Sequence, residues 1–170
     1  MEGPTSSRAL PILAAAGLMV LGLAMPARAL AHAPVRPDPA RNPGAVNAEV
    51  SQDNIFETIC VRGWTRTVRP PEDYTYHLKV RELRDWGYAD RETRDYEEDH
   101  LIPLELGGSP TSPDNLWPEP WAGEWGARTK DRIENRLHWL VCHGRLSLNE
   151  ARHAIATDWI AAYREYVGDR

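Results

Sequence analysis

The sequence is poor in several things. It has one phenylalanine and two cysteines in 170 residues. The cysteines, Cys60 and Cys142, lie far apart with no C-x-x-C pair, so nothing supports a cysteine-built zinc site. No internal repeat is present. With a single Phe, the aromatic core falls to the seven tryptophans. Positive charge is also scarce: 20 Lys and Arg stand against 25 Asp and Glu, a net charge of −5. The basic whole-chain footprint that usually accompanies nucleic-acid binding is therefore missing. Local basic strips remain, with Arg62, Arg66, Arg69, Lys79, Arg81 and Arg84 in the first half and Arg128, Lys130, Arg132 and Arg136 later.

Long apolar runs are scarce too. The one candidate, Ala9–Ala24, is interrupted by Pro11, Gly17 and Gly22. It is shorter than the ~20 residues that cross hydrocarbon comfortably. Arg8 precedes it, and Ala27-Arg28-Ala29 or Ala31-His32-Ala33 can serve as a cleavage site. Residues 1–32 accordingly read as an export signal, with an uncleaved anchor as the alternative. The mature chain loses one Glu and two Arg with it, leaving −6. Residues 33–49 hold four prolines and one glycine without apolar periodicity, the composition of an extended, mobile linker. The folded domain then spans 50–170, one domain by length, in the periplasm or outside the cell. In that oxidising setting Cys60 and Cys142 read as a disulfide, with two buried thiols as the alternative.

Pattern reading gives an α+β domain. Residues 55–68 are strand-like or irregular. Tyr74–Trp86 reads as a helix, with Asp73 as N-cap and Gly87 closing it. Residues 88–98 form a charged loop that brings Glu97, Glu98 and Asp99 up to His100. Leu101–Leu106 alternates like a strand, with Ile102, Leu104 and Leu106 on the face of His100. Gly107-Gly108 ends it, and Asn115–Trp117 forms a short return strand cut off by Pro118 and Pro120. Residues 127–141 make a helix lined by Ile133, Leu137, Leu140 and Val141. A last helix begins at a Ser147/Glu150 capping box and carries Ala151, Ile155, Trp159, Ala162 or Tyr163 and Val167 inward.

The stretch from Tyr96 to Trp121, YEEDHLIPLELGGSPTSPDNLWPEPW, carries the chemistry. Its D-H-L-I-P-L-x-L-G-G…N-L resembles the D-H-I-x-P-L-x-x-G-G…N-L of the HNH endonucleases, the superfamily with a ββα-metal finger. The segment around Ile133–Val141 is similar to small exported bacterial members. The likeness covers roughly residues 54–167, with only 96–121 tied to chemistry. It implies a hairpin and helix around a metal, and hydrolysis of DNA or RNA phosphodiester bonds. His100 is the candidate general base, since an imidazole takes a proton near neutral pH. Asp99 is a metal ligand. Asn115 is a site residue that holds the hairpin or orients the imidazole, or else a turn residue after Pro113-Asp114.

The family places a His or Asn on the helix, and this chain departs from it. Glu134 is the first candidate, with Asp131 and Glu124 as alternatives; Asp131, Glu134 and His138 share a helix face. Glu134 can also be a plain helix carboxylate paired with Lys130. One imidazole among oxygens favours Mg²⁺ or Mn²⁺, with Zn²⁺ possible. Trp117, Trp121 and Trp125 read as core, with base stacking as the alternative, and His138 and His143 as structural or exposed. The partner is nucleic acid, with no stable membrane association after signal cleavage. The competing function is a nuclease-derived domain of the cell envelope that binds without cutting.

Overall fold

A computed structural model of the chain describes residues 35–168, together with Met1 and Gly3; apart from those two, the expected export segment lies outside the described residues. The elements run α1 (Trp64–Val68), α2 (Glu72–Asp85), β1 (Tyr96–His100), β2 (Leu116–Pro120), α3 (Ala127–Cys142) and α4 (Leu148–Tyr166). Helices thus surround a single two-stranded antiparallel sheet, a mixed architecture in keeping with the α+β expectation. Among the described residues, no helix is long and apolar enough to cross a membrane.

The largest core lies between α3 and α4. Ile133, Leu137 and Val141 meet Ala151, Ile155, Trp159 and Tyr163, all almost fully buried. Complete burial of such aliphatic side chains stabilises by about 1.5–3 kcal/mol each. The Ser147/Glu150 capping box forms as the sequence suggests: Ser147 Oγ accepts from the Glu150 amide, and the Glu150 carboxylate accepts from the Ser147 amide. The helix is not continuous, however. Asp158 sits at φ −158°, ψ 94°, and its carboxylate accepts from the amides of Ile160 and Ala161. It caps a fresh turn from inside the helix, a competition between side chain and backbone that the apolar stripe does not reveal. In α2, Pro71 rather than Asp73 takes the N-cap position, and Asp73 lies in the first turn, where its charge suits the helix dipole.

The sheet differs most from the sequence reading. β1 is Tyr96–His100, its first three residues inside what reads as a charged loop, and 101–106 is no strand: Leu104–Leu106 is a 3₁₀ turn. The alternation of Ile102, Leu104 and Leu106 reflects burial of a turn on both sides, with Ile102 and Leu106 in the main core. Charge hides the strand, because Glu97, Glu98 and Asp99 occupy it and are covered by helices. The return strand also runs on through both prolines to Pro120. Asp99 pairs with Trp117 and Glu97 with Glu119, so Leu116, Pro118 and Pro120 turn their backbone away from β1. The Leu116 carbonyl accepts from Asn42 and the Pro118 carbonyl from Tyr88. A proline at such a position removes no ladder hydrogen bond.

Gly108 makes the turn possible: a Cβ there would fall on the Ile102 carbonyl. The segment 36–49, read as a mobile linker, is instead bound along this loop. Asn42 is 1% exposed, Val46 bridges to Gly108, and Gly44 and Asn47 donate to the carbonyls of Asp114 and Gly107. It turns at Asp38–Arg41, and backbone acceptors of the loop supply the partners that composition cannot indicate.

Cys60 and Cys142 form a disulfide across a sequence separation of 82, so the free-thiol alternative does not hold. The bond ties the end of α3 to the turns before α1. Reducing it is expected to lower stability by roughly 4 kcal/mol on chain-entropy grounds. Urea unfolding with and without dithiothreitol checks this, and coincident midpoints would refute it.

Candidate functional site

Alternation along β1 sends successive side chains to opposite faces. Tyr96, Glu98 and His100 face α2, while Glu97 and Asp99 face α3. His100, 5% exposed, stands at the strand end where both faces are in reach. Its Nε2 lies 3.0 Å from the Pro110 carbonyl. A carbonyl only accepts, so this contact assigns the ring proton to Nε2 and leaves Nδ1 with a lone pair. Burial lowers the imidazole pKa against the pull of Asp99, so the neutral, proton-accepting form prevails at neutral pH.

Asn115 does not touch the imidazole. It is fully buried. Its Oδ1 accepts from the Ile102 amide, and its Nδ2 donates to the carbonyls of Ile102 and Ser109. It braces the 101–109 loop that leads into Pro110. Asn115 thus holds the hairpin loop, one of the roles the sequence offers it, and it also closes the 3₁₀ turn Pro113–Asn115.

On the α3 face, Asp99 and Glu134 come together as the sequence suggests, but through a third residue. Lys130 is completely buried. Its Nζ donates to Asp99 Oδ2 at 2.6 Å, to the His100 carbonyl at 2.8 Å and to Glu134 Oε1. Glu134 is thus no solvated helix carboxylate, and the Lys130–Glu134 pairing moves from the surface to the interior. Burial alone would lower the Lys130 pKa, but Asp99, Glu134 and Glu119 together raise it well above the ordinary range. Burial would likewise raise Asp99, yet Lys130 above all holds it below its usual value. Glu119, 1% exposed, is raised well above the carboxylate range by burial.

Beyond Lys130 a cavity of about 120 Å³ opens, lined by Glu97, Asp99, His100, Glu105, Asp131 and Glu134, with Arg69 at its edge. Carboxylates crowd it. Burial and then Asp99 push Glu97 up to about 7. Burial pushes Glu134 up to about 8 against the pull of Lys130, and Glu105 and Asp131 are also raised. Burial thus disfavours the charged forms of Glu97, Glu105, Asp131 and Glu134 around one small space, and a bound cation would relieve that. The donors are hard oxygens with one imidazole, which suits Mg²⁺ or Mn²⁺. They do not form a closed cage, because Lys130 lies between Asp99 and Glu134. An ion that keeps several of its waters, as Mg²⁺ does, fits this arrangement better than Zn²⁺. Among the described residues, the trio of possible ligands that does converge is Cys60, His138 and Cys142, and both its thiols are spent in the disulfide.

The other candidates separate. Asp131 lines the cavity with Glu134. Glu124 sits on the loop before α3 and lines a different cavity, with Trp121 and Trp125. His138 turns from the helix face toward the Ile59 carbonyl and lies 3.9 Å from Glu105, and His143 stacks on Trp139; both are structural. Trp117 is core at 0% exposed and Trp125 packs against the core, but Trp121 is 40% exposed. Sequence reasoning did not single out Arg69, Glu105 or the central place of Lys130. The only signal for the last is its i, i+4 spacing from Glu134.

Compared with protein-family models, curated proteins and solved structures, the chain matches none.

Proposed function

We propose that this protein is an exported endonuclease of the HNH kind, hydrolysing phosphodiester bonds of DNA or RNA at a ββα-type hairpin and helix formed by β1, β2 and α3. The observation that carries the reading is the placement of His100. Its ring is buried, its Nε2–H is fixed on the Pro110 carbonyl, and it borders both the acid cavity and a second, larger cleft. Nδ1 accepts a proton from the attacking water, as a general base must. Arg69 borders the same two spaces and offers its guanidinium to a phosphate oxygen. Asn115 and Pro110 hold the imidazole in line, and Lys130 anchors the His100 backbone. Asp99 and Glu134, with Glu97 and Asp131 beside them, would hold the Mg²⁺ or Mn²⁺. Such an ion, when bound, neutralises charge on the scissile phosphate and the leaving oxygen. Export accords with the Cys60–Cys142 disulfide.

Nicking of supercoiled plasmid by the disulfide-bonded protein tests this, with Mg²⁺, with Mn²⁺ and with a chelator. Cutting is expected with metal only, and to fall about 10²–10⁴-fold in His100→Ala, the usual worth of a general base. Equal cutting by the variant would remove His100 from the role. One observation favours the competing reading of a domain that binds without cutting: the Lys130 ammonium between Asp99 and Glu134. Absence of cutting on DNA and RNA by folded protein would select it.

A further inference from the structure

Next to the acid cavity lies a cleft of about 430 Å³ between α2 and β1. Arg69, Glu97 and His100 border both spaces, so the two are neighbours on either side of the proposed base. Two aromatic rings exposed to solvent line this cleft, Tyr76 at 50% and Trp121 at 40%. Large aromatic surface is costly to leave in water. The other exposed tryptophan, Trp139, is already stacked on His143.

Cations stand beside the rings. Arg69 is exposed and donates no side-chain hydrogen bond to any described residue. The Arg94 side chain is 80% exposed, with only loose ion pairs at 3.9 and 4.0 Å. Lys79 spends one N–H on the Tyr96 carbonyl and keeps two. The cleft also has carboxylates: Glu72, Glu97 and Glu98.

We propose that this cleft binds an unpaired stretch of nucleic acid, with bases stacked on Trp121 and Tyr76 and a backbone phosphate on Arg69. The physical reasons are size and charge. A duplex presents one negative charge per ~1.7 Å of its axis over a broad surface, and a chain of net charge −5 has no overall positive charge to match it. A single strand needs only a narrow cationic track and ring faces, and aromatic stacking tolerates any base. The inference rests on the hydrolase reading only for which phosphate is cut; the cleft itself is a separate feature.

The experiment is fluorescence-polarisation binding by the full, disulfide-bonded chain in chelator, where no cutting is needed. The probes are labelled oligothymidylate, oligouridylate and a blunt duplex of equal length. Both single strands are expected to bind at least about tenfold more tightly than the duplex. Trp121→Ala should weaken them about tenfold, and Arg69→Ala should lower the salt slope by about one ion. Trp139→Ala should bind as the parent does. Duplex binding as tight as single-strand binding overturns the proposal, as does unchanged affinity in both Trp121→Ala and Arg69→Ala. Thermal melting confirms that each variant folds, and Tyr76→Ala replaces Trp121→Ala if that one does not. Cutting without single-strand preference would sink the cleft and spare the hydrolase; preferential binding without cutting would do the reverse.

Discussion

Lys130→Met is expected to lose about 3–5 kcal/mol of folding stability, the range for removing one partner of a buried ion pair. Methionine fills much the same volume, so the loss is electrostatic rather than a cavity effect. The ammonium holds Asp99, Glu134 and the His100 carbonyl at once. Without it, largely covered acids face one another with no counter-charge. The deficit has a pH signature whose sign follows from the folded-state pKa values. Burial raises Glu134 to about 8 and Glu119 well above its ordinary range, so the folded protein binds protons that the unfolded chain has released above ~4.5. Stability from these groups is present below that value and is lost as pH rises through 8. Asp99 behaves oppositely in the parent, since Lys130 holds it low; removing Lys130 turns it into another acid that resists ionisation. The variant should therefore lie closer to the parent at pH 5 than at pH 8. Urea midpoints of both proteins at the two pH values measure this. A deficit that is absent, or the same at both, would show that Lys130 does not compensate these carboxylates.

Asn115→Ala is expected to be comparably damaging, by about 3 kcal/mol or more. Three hydrogen bonds go at once, and the Ile102 amide and two carbonyls are left buried without partners, at about 1–3 kcal/mol for each such group. Nearby backbone cannot close the gap, because Gly108 already lies against the Ile102 carbonyl and the Asn115 amide nitrogen. Slack in the 101–109 loop would also move the Pro110 carbonyl and so the His100 ring. A misplacement of that kind lowers activity by about 10²-fold. Asn115→Asp separates bracing from direct chemistry. It keeps the acceptor for the Ile102 amide but loses both donors, so as a brace it should lose stability and activity together. Full stability with abolished cutting would instead put Asn115 in contact with substrate.

Residue by residue, the sequence was legible where chemistry is local. That Asp99, His100 and Asn115 lie near one turn was readable from a D-H pair, a Gly-Gly turn and an Asn spaced a few residues on. The disulfide was readable from an even cysteine count and an oxidising context. The helices α3 and α4 announced themselves through apolar stripes and the Ser147/Glu150 box. The strands did so only in part: the return strand was read at Asn115–Trp117 and runs on to Pro120. β1 is written in carboxylates, because its two faces lie against α2 and α3 and the interior supplies the Lys130 ammonium to Asp99. β2 hides behind two prolines that cost nothing once its outer edge is known. Segment 36–49 has the composition of a linker, and only the buried acceptors of the neighbouring loop explain why it is bound.

By itself, the sequence determined the mixed helix-and-strand class, the two main helices with their caps, the Cys60–Cys142 bond and the cluster of residues at the proposed site, since each depends on periodicity, spacing or residue chemistry within short reach. Only the tertiary structure decided what those residues face. It seated Lys130 between Asp99 and Glu134, turned Asn115 from the imidazole to the loop, buried Glu119 and left Trp121 and Arg69 open beside His100. Each of these depends on which surfaces meet across the chain, and the charge of a buried group is set by its neighbours in space, not by those next to it in sequence.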